Sequence, residues 1–255
     1  MDIGKPTGEY WAEKVAYQLA EVLGIECAKV DIGTFRGRVG SMSYMILKEE
    51  ELIEGVQYIT NIYKEYNQDK FIDYRTEEPY SINMILQSIK ETGLEKDFLI
   101  IPIFDALIGN SDRHHSNWGI VRNKINEEIR ISPLYDNGSS LCCLINYKDV
   151  PNILRDKIRF KALIFSKSKS MIRWLKSNRI EHFDLIEHIK NNYYDGTISI
   201  VEKIRDNLSN TKIKDIIDGY DDIIINPMIK ELLYVFLVQR RKKIIDIYYG
   251  EEEAE

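Results

Sequence analysis

The chain has 255 residues, 44% hydrophobic and 30% charged, an ordinary soluble globular balance with room for one large domain or two lobes around a cleft. A formal net charge of -6 and a pI near 5.5 exclude the basic face of a general nucleic-acid binder, so no direct nucleic-acid binding is expected. Cys27, Cys142 and Cys143 form neither a disulfide framework nor a Cys-x-x-Cys zinc site, the first residues lack a signal pattern, and no apolar run reaches the ~18 residues of a membrane span; a cytoplasmic protein is expected.

Residues 8–24 read as a helix, with Trp11, Val15, Leu19 and Val22 on one face, Thr7 as N-cap and Gly24 as stop. Glu13 lies on another face, beside Ala12, Ala16 and Ala20. The period then changes. Residues 26–33 and 38–47 read as two strands joined by the turn T-F-R-G-R, and the spacing of Gly33, Gly37 and Gly40 fits no phosphate-loop motif. From residue 48 the pattern is mostly helical, with strong apolar faces over 79–92 and 95–108. Short strands at 120–122 and 129–131 flank a K-I-N-E turn. Helices follow at 152–165, 168–177, 181–193, 197–208, 212–218 and 226–248. In the last of these, Arg240 to Lys243 read as a solvated face, and 251–255 as an acidic tail. Residues 1–47 thus outline a small mixed segment and 48–250 a large helical one.

The helix over 95–108 runs into G-N-S-D-R-H-H-S-N-W-G at 109–119. Phosphoryl transfer needs a positioned hydroxyl, a metal held against phosphates and neutralised charge, with little covalent work for the protein. In the kinase layout this takes an Asp, an Asn five residues on, and a further Asp after a short hairpin. Asp112, Asn117 and Asp136 stand in that order, the last 24 residues after the first, with the strand–turn–strand pattern between them. Asn110 occupies the place of the leading His of a kinase loop, and Y-D-N-G stands where D-F-G would. Asp and Asn offer the hard oxygens that suit Mg2+. His114 and His115 read as hydrogen-bonded loop residues, the cysteines as small buried hydrophobes, and Asn137-Gly138-Ser139 as a chance glycosylation match.

N-S-D-R-H-H-S-N-W-G followed by P-L-Y-D-N-G-S-S resembles the signature of the HipA-like serine/threonine kinases, the toxin kinases of bacterial toxin–antitoxin modules and their relatives. E-K-V-A-Y-Q-L-A-E-V-L-G-I is similar to that family's first helix, and K-S-K-S-M-I-R-W to part of its C-terminal lobe, so the likeness covers roughly 8–245. It implies an α+β, protein-kinase-like, two-lobed fold, an ATP- and Mg2+-dependent kinase, a protein substrate that no residue specifies, and an antitoxin as a partner. It further implies that Asp112 is the catalytic base, that His114 supports the loop, and that Asn117 and Asp136 ligate Mg2+. Glu13 would pair with the lysine that holds the phosphates, Met45, Ile46 and Leu47 would form the hinge strand near adenine, and Ser139 and Ser140 with the cysteine pair would begin the activation-loop equivalent.

One part of the pattern is missing. A kinase places a Gly-rich loop and a lysine strand before the Glu-bearing helix, and here that helix begins within about eight residues of Met1; Lys5 lies close to Glu13 for a residue on a preceding strand. Three explanations stand open: an upstream start or fragment, strands supplied by another chain, or a degenerate kinase. Three functions do as well: an active kinase, a non-enzymatic protein of the same fold that binds a partner or nucleotide, and a metal-dependent hydrolase built on D-R-H-H. The hydrolase would need further ligands, and His182 and His188 are isolated on helical segments.

Overall fold

The computed structural model describes residues 7–44, 49–166 and 168–250. The expected hinge at Met45, Ile46 and Leu47, the alternative lysine Lys5 and the acidic tail lie outside them. Helix α1 (Glu9–Leu23) buries Trp11, Ala12, Val15, Ala16, Leu19, Ala20 and Leu23 and ends at left-handed Gly24. Its N-cap is Gly8, not Thr7; the Thr7 hydroxyl donates instead to the Glu9 carboxylate at 2.7 Å. The two-stranded antiparallel sheet β1 (Val30–Phe35) and β2 (Arg38–Ser43) packs on one side of α1. The small alanines let the helix approach its neighbours closely.

Residues 49 onward are less helical at first than their pattern predicts. Strand β3 (Glu50–Glu54) leads into α2 (Gly55–Ile62) and then the short strands β4 (Tyr66–Asn67), β5 (Ile72–Asp73) and β6 (Glu78–Pro79). Helix α3 (Ile82–Ile89) starts at Ser81, whose hydroxyl accepts from the Met84 amide, and α4 (Glu95–Phe98) precedes the buried helix α5 (Ile100–Ile108). Strands β7 (Gly119–Asn123) and β8 (Ile129–Ile131) form the expected hairpin, and β3 adds to it as a third strand in the order β3-β7-β8. No local pattern announces β3. Its partner is about 70 residues away, with Leu52 opposite Val121.

The C-terminal part is built from α6 (Val150–Arg155), α7 (Lys157–Lys161), a π-helical turn (Ala162–Ser166), α8 (His182–Asn207), α9 (Asn210–Asp218) and α10 (Pro227–Tyr249). The stretch read as one helix over 152–165 breaks at Asp156, whose carboxylate caps α7 by accepting from the Ile158 and Arg159 amides. The helix expected over 168–177 does not form. Its backbone is spent on distant partners: Ser170 N–H donates to Ile180 O, Arg173 N–H to Tyr80 O, and Arg173 O accepts from Ile82 N–H. The two helices expected over 181–193 and 197–208 follow one another within α8, and the backbone leaves helical geometry between them at Tyr193 (φ −140°, ψ 35°). Among the described residues no helix is long and apolar enough to cross a membrane.

Arg240 corrects the reading of the basic run in α10. It is fully buried, lies between the rings of Phe183 and Phe236, and donates from Nε to Ala106 O at 2.6 Å and from Nη1 to Ile164 O. It shares a stripe with Leu233, Phe236, Leu237 and Ile244, the 3–4 spacing of the buried face. Burial brings its guanidinium down to about 9. One residue of the run therefore fastens α10 to α5, the helix that delivers the loop at 109–119.

The start of α2 is held by the same loop, because Gly55 N–H donates to Trp118 O and Val56 N–H to His115 O. A Cβ on Gly55 would lie 2.2 Å from the indole of Trp118. Gly55→Ala is therefore expected to destabilise the protein by about 1–3 kcal/mol, the usual cost of overpacking. Denaturant unfolding checks this; an unchanged midpoint would mean the indole moves freely.

Candidate active site

Helix α5 ends at left-handed Gly109, and the chain turns at once into a loop ordered by its own side chains. Asn110 is buried; its Nδ2 donates to Asp105 Oδ1 at 3.2 Å and its Oδ1 accepts from the Asp112 amide at 3.0 Å. Asn117 is also buried, and its Nδ2 donates to Asp112 O at 2.9 Å. That bond ties the two ends of the D-x-x-x-x-N spacing together and leaves Asn117 Oδ1 unspent among the described residues. The Asp112 side chain is exposed and is in no ion pair among them.

Arg113 is the centre of the site, and the sequence reading gave it no role. It is 1% exposed. Its Nη2 and Nε grip the carboxylate of Asp105, at 2.8 and 3.0 Å. Its Nη1 donates to Asn117 O and to Tyr135 O, both at 2.8 Å, and its Nη2 to Asn137 Oδ1 at 2.6 Å. Burial opposes the charged guanidinium, and Asp105 outweighs it, so Arg113 is held above its ordinary range. One planar group thus fixes α5, the loop and the segment carrying Asp136.

Asp136 sits between two of those anchors. Its φ of 54° is left-handed, a conformation that costs a non-glycine residue energy and persists only where neighbours enforce it. Tyr135 supplies part of the enforcement, donating from its hydroxyl to Ser116 O at 2.8 Å. Ser140 adds to it, donating to Asn137 O at 2.6 Å. The Asp136 side chain, like that of Asp112, is exposed.

Glu13 reaches this segment from α1. Its Oε1 accepts from Asn137 Nδ2 at 3.4 Å, so the chain Arg113–Asn137–Glu13 connects the first helix to the loop. Burial first, and then the charge of Asp136, raise the Glu13 carboxyl above its ordinary value. No lysine pairs with Glu13 among the described residues; the adjacent Lys14 pairs with Asp31 at 2.7 Å. Backbone bonds from Ala28 N–H to Leu134 O and from Leu134 N–H to Glu26 O bring the start of β1 to the same place. A cleft of about 400 Å³ results, within the size range of small-molecule sites. Glu9, Glu13, Asp136 and Gly138 line one side of it, Val30, Ser41 and Ser43 the other, and among the described residues no Lys or Arg lines it.

The histidines fall elsewhere. His115 is buried against Tyr66, Phe71 and Tyr80, with its Nδ1 3.0 Å from the Tyr66 hydroxyl, and burial brings it down to about 4, so it is neutral. His114 Nδ1 accepts from the Ser116 amide at 3.2 Å, an internal bracing of the loop. His188 stacks on Trp174, and His182 is buried at the start of α8. Among the described residues no three His, Cys, Asp or Glu side chains gather as a metal site. Burial pushes Cys27 and Cys142 to about 12 and Cys143 to about 11, so all three are inert thiols.

No family model matches the chain. It is 25% identical over 243 residues, 94% of this chain and 72% of the other, to the serine/threonine-protein kinase CtkA of Helicobacter pylori. The crystal structure of the Helicobacter pylori proinflammatory kinase CtkA superimposes with a TM-score of 0.83 at 23% identity, over 98% of this chain and 86% of that one. The HipA of a Shewanella oneidensis toxin–antitoxin complex aligns with a TM-score of 0.48 at 12% identity, over 94% and 55%, too distant to carry an argument. The chain therefore has the α+β, protein-kinase-like fold.

Two measurements test the site as built. Asp105→Ala leaves Arg113 charged and unpaired in the interior and is expected to cost about 3–5 kcal/mol in denaturant unfolding; a loss below 1 kcal/mol would mean the pair does not organise the loop. For Glu13 the raised carboxyl gives stability that is fully present below its ordinary value near 4.5 and is lost as pH rises through the raised one. Glu13→Gln is therefore expected to raise the melting temperature at pH 7 in metal-free buffer, with the gain vanishing towards pH 4. A gain of equal size at both pH values would contradict the electrostatic origin.

Proposed function

We propose that this chain is a serine/threonine protein kinase that uses ATP with Mg2+. The observation that carries the reading is the single guanidinium of Arg113, which holds the Asp112 loop, Asn117 and the Asp136 segment in one arrangement, the last of them lining a cleft. The similarity to a serine/threonine kinase over 94% of the chain supports it.

The residues present suit the metal. Asn117 Oδ1 is unspent, the Asp136 carboxylate is exposed, and both are the hard oxygen donors that Mg2+ prefers. They would hold it, and when bound it would supply charge neutralisation at the phosphates. Asp112, free of any ion pair among the described residues, would orient the acceptor hydroxyl and accept its proton. His114 would keep the loop in shape, and Glu13 would act through Asn137 on the position of Asp136. The nucleotide would occupy the cleft of about 400 Å³ between β2 and the Asp136 segment.

The acidic lining of that cleft favours a specific elaboration. Polyphosphate needs positive charge near it, and Arg113 is committed to its internal partners. The reading therefore calls for a lysine from outside the described residues or from a partner chain; without one the chain would bind nucleotide weakly and act as a binding protein of the same fold. Pairing with an antitoxin belongs to the same proposal and rests on the motif resemblance alone.

Transfer of label from γ-labelled ATP to protein acceptors, with Mg2+, tests the reading. Asp112→Asn is expected to lower kcat by about 10²–10⁴-fold while nucleotide affinity is kept. Asp136→Ala is expected to remove the Mg2+ dependence of nucleotide binding. Labelling that both variants retain would sink the assignment.

A further inference from the structure

The net charge of -6 is spread unevenly along the chain. From Lys148 to Arg179 stand ten Lys and Arg against two acids, Asp149 and Asp156, a net of +8; the other 25 basic and 39 acidic residues make the rest of the chain -14. We propose that this basic stretch is the docking face for the acceptor protein, and that the serine or threonine it presents lies in an acidic segment. The proposal rests on the kinase reading above and names the substrate class for it.

The positive charge is available to a partner. Lys148, Arg155, Lys157, Lys161 and Lys169 are exposed and in no ion pair among the described residues, and Arg159 pairs with Asp156 at 3.3 Å. Arg179 is exposed as well and spends its donors on carbonyl groups, Ser111 O at 2.6 Å, Ser170 O at 3.2 Å and Lys169 O at 3.3 Å. Those bonds fix the guanidinium and leave its charge uncompensated. Solubility is served by interspersed signs, and it does not call for this segregation.

Position ties the face to the chemistry. Ser111 precedes Asp112, so the bond from Arg179 sets a fixed positive charge beside the residue that would take the acceptor proton. The Ser168 hydroxyl donates to Gly109 O at 3.1 Å, a second tie between the stretch and the loop. A carboxylate close in sequence to the acceptor hydroxyl falls within the ~8–10 Å over which charge acts at physiological salt. Glu9, Glu13 and Asp136 repel the same carboxylate from the nucleotide cleft, which keeps an acidic acceptor out of the donor's place.

Charge also selects among polyanions. A nucleic acid is charged along its whole length, and beyond this stretch it would meet a chain with a large excess of acid. A short acidic segment meets the basic stretch alone. Ile158, 82% exposed between Lys157 and Arg159, adds an apolar contact that suits a polypeptide better than a phosphate backbone.

The test uses the full chain with ATP, Mg2+ and peptides whose single serine or threonine is flanked by Asp and Glu, by Asn and Gln, or by Lys. Acidic flanks are expected to be preferred over lysine flanks by about tenfold or more in kcat/KM, with the ratio shrinking as salt rises. Lys157→Glu, Lys161→Glu and Lys169→Glu together are expected to lower the ratio of acidic to neutral peptide by about fivefold or more. Lys64→Glu, Lys124→Glu and Lys212→Glu together, exposed lysines outside the stretch, are expected to leave that ratio intact. Arg179 is kept, because its bonds shape the loop. Equal use of the three flanks, a preference for lysine, or the same loss in both triple variants overturns the proposal while the kinase reading survives. If the wild-type chain labels no peptide, the kinase reading is what has failed for these acceptors, and the face is then tested by fluorescence anisotropy of a labelled acidic serine peptide. Binding that the first triple variant weakens and the second does not supports the face. No binding, or displacement of the peptide by a short RNA hairpin at lower concentration than by unlabelled peptide, overturns it.

Discussion

The buried ion pair between Asp105 and Arg113 is the constraint on which the site depends. A carboxylate on helix α5, buried from Ile101 to Ile108, demands a cation, because an unpaired charge there would cost several kcal/mol. Lysine could satisfy the charge, but only a guanidinium has donors enough to do so and still reach two carbonyls and an amide oxygen in three directions. Those surplus donors fix Asn117, Tyr135 and Asn137. Asp112 precedes Arg113 and Asp136 lies between Tyr135 and Asn137, so both exposed carboxylates inherit their positions from a buried residue that touches neither. The strain at Asp136 is borne by the same bonds.

The sequence exposed the parts of this arrangement that are local. Apolar spacing located α1, α5, α10 and the β7–β8 hairpin, and the order of Asp112, Asn117 and Asp136 pointed to one site. What joins them was hidden, because Asp105, Arg113 and Asn137 matter only through contacts across as many as 124 residues of sequence and each looks ordinary where it stands. The failed helix over 168–177 has the same cause: local propensity yields to bonds with Tyr80, Ile82 and Ile180 that no window of sequence contains. Arg240 is a different case. Its place on the stripe of Leu233, Phe236 and Ile244 was readable, and the three basic neighbours drew attention away from the period.

Charge is distributed unevenly around the cleft. Glu9, Glu13 and Asp136 face it while the nearest guanidinium is spent inward. The raised Glu13 carboxyl reports that field from inside the protein, since Asp136 contributes to the rise. Such a cleft attracts divalent cations before it admits polyphosphate, and any phosphate that enters must bring or meet positive charge. A residue that neutralises one phosphate oxygen would therefore relieve two repulsions, that between phosphate and cleft and that between Glu13 and Asp136.

The acid cleft shares Ser139 with a second recess lined by Cys142, Leu144, Ile145, Leu163 and Phe236 together with Ser111, Ser140 and Ser168. The transition state of phosphoryl transfer needs the donor and the acceptor oxygen aligned, and little covalent help. A charged compartment can hold the donor through metal and electrostatics, where strength depends on ionic conditions. Arg113 and Arg240 hold adjacent residues of α5, Asp105 and Ala106, and Arg113 extends that hold to Asn117 at the far end of the loop.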